Sequence, residues 1–241
     1  MGTDMSFTIN VDKLVFPVFA RNKINSILRY LGSATMLSKN KKVIVFCKHV
    51  LQNICEHEEL VLNVYGTQDL YVLSDVVFSK KFDFSAARIE TSDEVKCDYN
   101  FIEKLNNPVP VMMNNDVVAM GIFAEEDNIK QVVIRPEVRK GYVPRCSPKE
   151  DMLIGARSTN VLSFPIPSGF SGGPIFLQNS FPLEVKGIMF NNIESKISIY
   201  SHEEVKSGNE RCVETVVRVE ELGLFHSVED IKYFLSELNL I

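Results

Sequence analysis

The sequence predicts an all-β protein that closes on one helix. Three observations carry this. Short runs of β-branched and aromatic residues recur along the chain, bounded by turn-forming or charged clusters. Helical periodicity is scarce until the chain's end. A glycine-rich stretch, Pro167-Ser168-Gly169-Phe170-Ser171-Gly172-Gly173-Pro174, leads straight into the apolar run Ile175-Phe176-Leu177.

Leu14 to Phe19 reads as an edge strand or a strand entry, because Pro17 interrupts it. Ile24 to Leu31 fits helix or strand equally. Ala34 to Leu37 leads through the turn Ser38 to Lys42 into Val43-Ile44-Val45-Phe46, a buried-strand pattern. Leu60 to Tyr65 and Tyr71 to Phe78 follow, joined by a turn from Gly66 to Asp69. Phe82-Asp83-Phe84 opens another core strand that ends at Arg88-Ile89. Glu103 to Asn115, with Pro108 and Pro110, reads as a crossover. Val117 to Phe123, Gln131 to Ile134, Met152 to Ile154, Val161-Leu162, Glu184 to Phe190 and Val213 to Val219 read as strands of a second half. Arg135 to Glu150 and Tyr200 to Arg211 read as surface loops. At the end, Ser227 caps a helix with Glu229 and Asp230 in its first turn. Val228, Ile231, Phe234, Leu235 and Leu238 form its apolar face.

The 241 residues suit two small units. A net charge of −5 gives no footprint for nucleic acid. No apolar run reaches the ~20 residues of a bilayer span. The start, Met1 to Ser6, shows no signal-peptide pattern. Five cysteines, Cys47, Cys55, Cys97, Cys146 and Cys212, are odd in number and scattered. Free thiols and a cytoplasmic location are expected from that pattern.

The glycines around Ser171 cost conformational entropy and so require a purpose. A nucleophilic serine supplies one. Gly169 permits a tight turn that aims its N–H, with that of Ser171, at a developing oxyanion. Gly172 and Gly173 are expected to clear the approach of a substrate carbonyl.

The string G-x-S-G-G-P followed by a strand resembles the nucleophile segment of chymotrypsin-like (trypsin-fold) serine proteases. That resemblance demands a histidine and then an aspartate upstream. His49, just past the strand Val43–Phe46, resembles the family's general base. Asp83, leading into a core strand, resembles its buried acid; Asp116 is the rival. The resemblance implies two six-stranded antiparallel β-barrels, over 1–105 and 106–225, with a C-terminal helix over 226–241. It implies a serine endopeptidase acting on protein or peptide substrates without cofactor or metal. His49, Asp83 and Ser171 would be catalytic, with Gly169 and Ser171 forming the oxyanion hole. Pro165 would floor the pocket for the residue before the scissile bond, and Phe190, Asn191 and Asn192 would form its other wall. No acid lies on that floor, so small or medium apolar residues are expected there.

Two departures stand out. Phe170 occupies the place of the aspartate that pairs with a newly cut N-terminus in secreted members. Val50 occupies the place of a cysteine that often follows the histidine. Both match intracellular bacterial relatives. Three other readings are open. Cys47, His49, Cys55 and His57 carry zinc-binding groups, although their one-residue spacers are poor for a structural site. Gly169 to Gly173 also fits the α/β-hydrolase elbow, with His226 downstream, but that elbow needs a helix after the serine. Finally, the barrels could be a latent or silent module that binds a protein partner, an activator among them.

Overall fold

Strands β1 (Val15–Asn22), β2 (Leu28–Ser38), β3 (Val43–Cys47), β4 (Glu58–Asn63), β5 (Leu70–Phe78) and β6 (Phe84–Glu90) close on themselves in a computed structural model. The structure describes residues 14–38, 42–64, 69–92, 111–126, 132–146, 159–178, 185–205 and 211–239. The barrel order is β1-β2-β3-β6-β5-β4, with every pair antiparallel. All five residues of β3 are buried, as their β-branched and aromatic character predicts. Closure leaves β1 no free edge, yet Pro17 is accommodated. Pro17 pairs with Ser33 of β2, whereas the ladder to β4 begins only at Val18. The missing N–H therefore falls outside that second ladder. The ambiguous stretch from Ile24 resolves into a turn and then β2.

The second unit comprises β7 (Asp116–Glu126), β8 (Val132–Tyr142), β9 (Arg145–Cys146), β10 (Thr159–Val161), β11 (Pro174–Leu177), β12 (Val185–Val205) and β13 (Arg211–Ser227). Among the described residues it takes the form of a seven-stranded antiparallel sheet, ordered β8-β7-β11-β12-β13-β10-β9. Its two edges, β8 and β9, are consecutive in the chain and separated by Val143 and Pro144 alone. The sheet must curl to bring them together. Bonds from Ser163 N–H to Tyr142 O (3.0 Å) and from Tyr142 N–H to Ser163 Oγ (3.0 Å) tie the two ends.

Two sequence expectations change here. Arg135 to Tyr142 is strand, not loop; Pro136 is tolerated because β8 sits at an edge. The predicted loop from Tyr200 is the far end of the β12–β13 pair, whose backbone ladder runs out to Val205 and Arg211. The expected strand Met152–Ile154, most of the predicted crossover and Cys97 lie outside the described residues.

β7 shows how the units share an interior. Val117 and Ala119 face a core with Leu162, Phe170 and Ile175. Val118, Met120 and Ile122, on the opposite face, join the core of the first barrel. This is the two-residue period of a strand buried on both sides.

Helix α1 (Val228–Glu237) follows β13 directly. Ser227 and Asp230 form a reciprocal capping box: Asp230 N–H donates to Ser227 Oγ, and Ser227 N–H donates to Asp230 Oδ2. Val228, Ile231, Phe234 and Leu235 are buried. Phe234 stacks on Phe84 of β6, with ring centroids 5.7 Å apart. No described helix is long and apolar enough to cross a membrane.

Candidate active site

β3 delivers the chain into a 3₁₀ turn, Lys48–Leu51, that carries His49. β6 begins beside it, because Cys47 pairs with Phe84. Asp83 is thus brought against the turn by strand register alone. Asp83 Oδ1 accepts the His49 backbone N–H at 2.9 Å, and Oδ2 lies 2.5 Å from His49 Nδ1. The carboxylate grips both the ring and the backbone of one residue. It is half-buried rather than fully buried, with 27% of its side chain exposed.

Ser171 sits in a loop between β10 and β11. A turn closed by Phe170 N–H to Pro167 O (3.1 Å) has Gly169 as its third residue, at φ +91°. A type II turn demands a positive φ there, and only glycine takes it without strain. Phe170 O accepts from Gly173 N–H at 2.8 Å. A trans peptide points its C=O and N–H in opposite directions, so the Ser171 N–H faces away from that bond. Neither the Gly169 N–H nor the Ser171 N–H has an acceptor among the described residues.

The purpose expected of Gly172 and Gly173 needs correction. A Cβ at Gly172 would stand 2.0 Å from Ser33 O, and at Gly173, 2.2 Å from Met120 O. These glycines make room for neighbouring backbone within the protein, not for substrate. Phe170 is fully buried; a Cβ on Gly121 would meet its ring at 2.3 Å. It anchors the loop by packing.

What sequence reasoning missed is the anchor on β2. Ser33 N–H donates to Ser171 O (3.1 Å), Ser33 Oγ to Gly169 O (2.7 Å) and Thr35 Oγ1 to Gly172 O (2.8 Å). The Tyr30 hydroxyl lies 2.7 Å from Ile122 O and 2.9 Å from Gly169 O. Burial pushes its pKa above the ordinary phenol value, so it stays protonated and remains a donor. Ser33 and Thr35 share one strand face and are both buried, so their hydroxyls need these partners, which no local pattern in the sequence marks.

A cavity of about 390 Å³ opens onto His49, Gly169 and Ser171, facing Phe190, Asn191 and Asn192. Leu31, Ile166, Pro167 and Ser168 complete that lining; Pro165, the expected floor, is exposed and outside it. The Asn192 amide bridges to Ile166, accepting its N–H at 2.7 Å and donating to its C=O at 2.9 Å. The two walls are tied together. The Ser171 hydroxyl donates to Phe190 O at 3.3 Å, not to His49.

Behind Phe190 lies His226, 1% exposed and stacked on it with centroids 4.0 Å apart. Loss of solvent lowers its pKa to about 3, against a smaller opposing effect of Asp83. It is neutral, and neither ring nitrogen has a hydrogen-bond partner.

The zinc tetrad does not assemble. Cys47, His49 and Asp83 lie close together, without Cys55 or His57. Cys47 is buried, its Sγ–H donates to Met189 O at 3.2 Å, and burial holds its pKa well above the usual thiol value. That disfavours the thiolate a metal needs. His226, on β13, pairs with Thr159 and Ile188, and β11 rather than a helix follows the serine loop, so the α/β-hydrolase arrangement is absent.

The chain matches no protein-family model and no curated protein. The apo protease domain of MamO from Magnetospirillum magneticum aligns over 93% of this chain and 97% of its own, with a TM-score of 0.57 and 14% identity. The fold is chymotrypsin-like. A chymotrypsin-like frame at that identity establishes architecture, not activity. Within this frame, His49 and Asp83 come from the closed barrel and Ser171 from the second unit; His49 and Ser171 line one cavity, and Asp83 holds His49 from behind.

Proposed function

We propose that the protein is a serine endopeptidase acting through Ser171, His49 and Asp83. The observation that carries this reading is the two-point grip of Asp83 on His49 beside the cavity that Ser171 lines. Asp83 fixes the tautomer with a proton on Nδ1, leaving Nε2 as the base. Rotation about the Ser171 Cα–Cβ bond moves Oγ from Phe190 O toward that nitrogen. The hydroxyl attacks the peptide carbonyl as His49 takes its proton. The Gly169 and Ser171 N–H groups bind the oxyanion. His49 then protonates the leaving amine, and water repeats the sequence on the acyl-enzyme.

Phe190 O has a second part in this scheme. A substrate backbone N–H arriving there displaces the Ser171 hydroxyl and frees it for His49. The Asn192–Ile166 bridge across the cavity favours a small side chain before the scissile bond. The deciding experiment is labelling with a fluorophosphonate. Labelling of the native chain that disappears in Ser171→Ala supports the enzyme.

A second reading is a silent barrel that binds a protein partner. The bond from the Ser171 hydroxyl to Phe190 O favours it, since the nucleophile is turned from its base. No labelling at any substrate or partner concentration selects this reading.

A further inference from the structure

The corner where β3 meets β6 holds a thiol that the triad chemistry does not use. Cys47 ends β3, and its pairing with Phe84 sets it beside Asp83. His49 follows two residues later, in the 3₁₀ turn. Cys47 Sγ, His49 Nδ1 and a carboxylate oxygen of Asp83 lie within 4.8 Å of one another. Cys47 is buried, while the side chains of His49 and Asp83 are partly exposed and give the group an open side. Thiolate, imidazole and carboxylate together are the donor set of a tetrahedral zinc site with one position left for water. Magnesium and calcium prefer oxygen ligands and do not suit it. Zinc bonds of about 2.0–2.3 Å hold ligand atoms roughly 3.3–3.7 Å apart at a tetrahedral angle. The carboxylate oxygen, 2.5 Å from Nδ1, has to open by about an ångström, and Sγ has to close by a similar amount at most. Movements of that size lie within the reach of side-chain rotation.

We propose that Cys47, His49 and Asp83 bind a zinc ion that switches the serine site off. The switch rests on the peptidase reading above; the binding does not. Charge balance supports the set, since a zinc dication, a thiolate, a carboxylate and a neutral imidazole sum to zero. Such a set escapes the desolvation cost that keeps the thiol protonated in the metal-free protein. On binding, Sγ forms a bond to zinc and releases its proton to solvent. The imidazole keeps its single proton but moves it, through solvent, from Nδ1 to Nε2. Nothing is oxidised or reduced. Asp83 Oδ1 keeps the His49 backbone N–H at 2.9 Å, which orients the ligating carboxylate. Met189 O loses the thiol but retains the Gly172 N–H at 2.9 Å, so no acceptor is stranded. Nε2 now carries a hydrogen and has no lone pair for the Ser171 proton. Zinc thus imposes the tautomer opposite to the one that Asp83 fixes.

The test for binding uses cobalt as a coloured stand-in for zinc, with the native chain and with Ser171→Ala. Both should show a thiolate-to-cobalt charge-transfer band that added zinc abolishes. Cys47→Ala should lose the band, and the double variant Cys55→Ala, His57→Ala should keep it. An undiminished band in Cys47→Ala overturns the site. Should Cys47→Ala fail to fold, His49→Ala, at a partly exposed position, takes its place. The loss of a nitrogen ligand should then change the cobalt spectrum, and an unchanged spectrum overturns the site. For the switch, stoichiometric zinc should slow fluorophosphonate labelling of the native chain at least about tenfold relative to EDTA, because the base is lost. The zinc-to-EDTA ratio of rates in Cys47→Ala should be near one. Equal slowing in Cys47→Ala and the native chain overturns the switch and leaves the peptidase intact. If the native chain does not label in EDTA, the peptidase reading fails and the cobalt spectrum alone decides. A band that depends on Cys47 retains the metal site; no band removes it.

Discussion

The two halves of the cleft are held in different ways. His49 and Asp83 are placed by one β-barrel alone, through the β3–β6 register and two bonds to a single carboxylate. The serine loop is stitched between units. Its carbonyls at Gly169, Ser171 and Gly172 accept from β2 of the barrel, while Gly172 N–H and the Ser171 hydroxyl donate to β12 of its own sheet. The acid–base pair is therefore autonomous, and the nucleophile is conditional on how the units meet. Damage to the barrel pair should alter chemistry with little effect on stability. Damage at the seam should alter both.

The sharpest test on the autonomous side is Asp83→Asn. It keeps the shape but imposes the wrong tautomer on His49, and peptide hydrolysis should fall on the order of 10⁴-fold. The melting temperature should move by no more than a few degrees. A large loss of stability would show that the pair is a structural fastener.

At the seam, Gly172→Ala meets Ser33 O and a φ of +94°. Unfolding in urea should show a loss of about 2–4 kcal/mol, because backbone must move and the conformation is strained. A loss under 1 kcal/mol would mean that the seam yields easily.

His226→Phe probes the wall behind Phe190. The buried imidazole has a pKa of about 3, below the ordinary 6.5, and it faces Asp83 and Asp230. The unfolded chain therefore takes up a proton first as pH falls. The stability this histidine supports is complete above pH 6.5 and declines toward pH 3. Phenylalanine keeps the ring and removes the titration. Relative to its own value at pH 7.5, the variant should retain about 2 kcal/mol more stability than the native chain at pH 5. Parallel melting curves against pH would refute this.

Tyr30→Phe should have the smallest effect, about 1 kcal/mol in stability. Its diagnostic is kinetic: kcat should fall several-fold with KM unchanged, since the hydroxyl steadies the Gly169 carbonyl and not the substrate. A change in KM alone would place Tyr30 in substrate binding instead.

The sequence made the autonomous half easier to read than the conditional one. β3 announces itself by four consecutive β-branched or aromatic residues, and α1 by its cap and apolar face. Ser171, His49 and Asp83 lie in local patterns. Tyr30, Ser33 and Thr35 do not, because their partners lie about a hundred positions or more along the chain and nothing local marks them. Charge and Pro136 hid the second part of β8, from Arg135 to Tyr142, because an edge strand tolerates both. In the far part of the β12–β13 pair only Val213 to Val219 was legible; the predicted loop from Tyr200 was hidden by its charge, since backbone pairing alone holds it in the sheet. The roles of Gly172 and Gly173 were misread because a motif names small residues without saying which neighbour crowds them.

The position of α1 bears on how the protein is made. Phe82 and Phe84 flank Asp83, and they pack against Tyr233 and Phe234 of a helix that follows every strand. On the ribosome, the aspartate's aromatic surroundings are translated long before the segment that covers them. Until α1 emerges, those rings face water and Asp83 has an unfinished backing. Packing of the rings on either side of Asp83 is thus completed only once α1 has been synthesised.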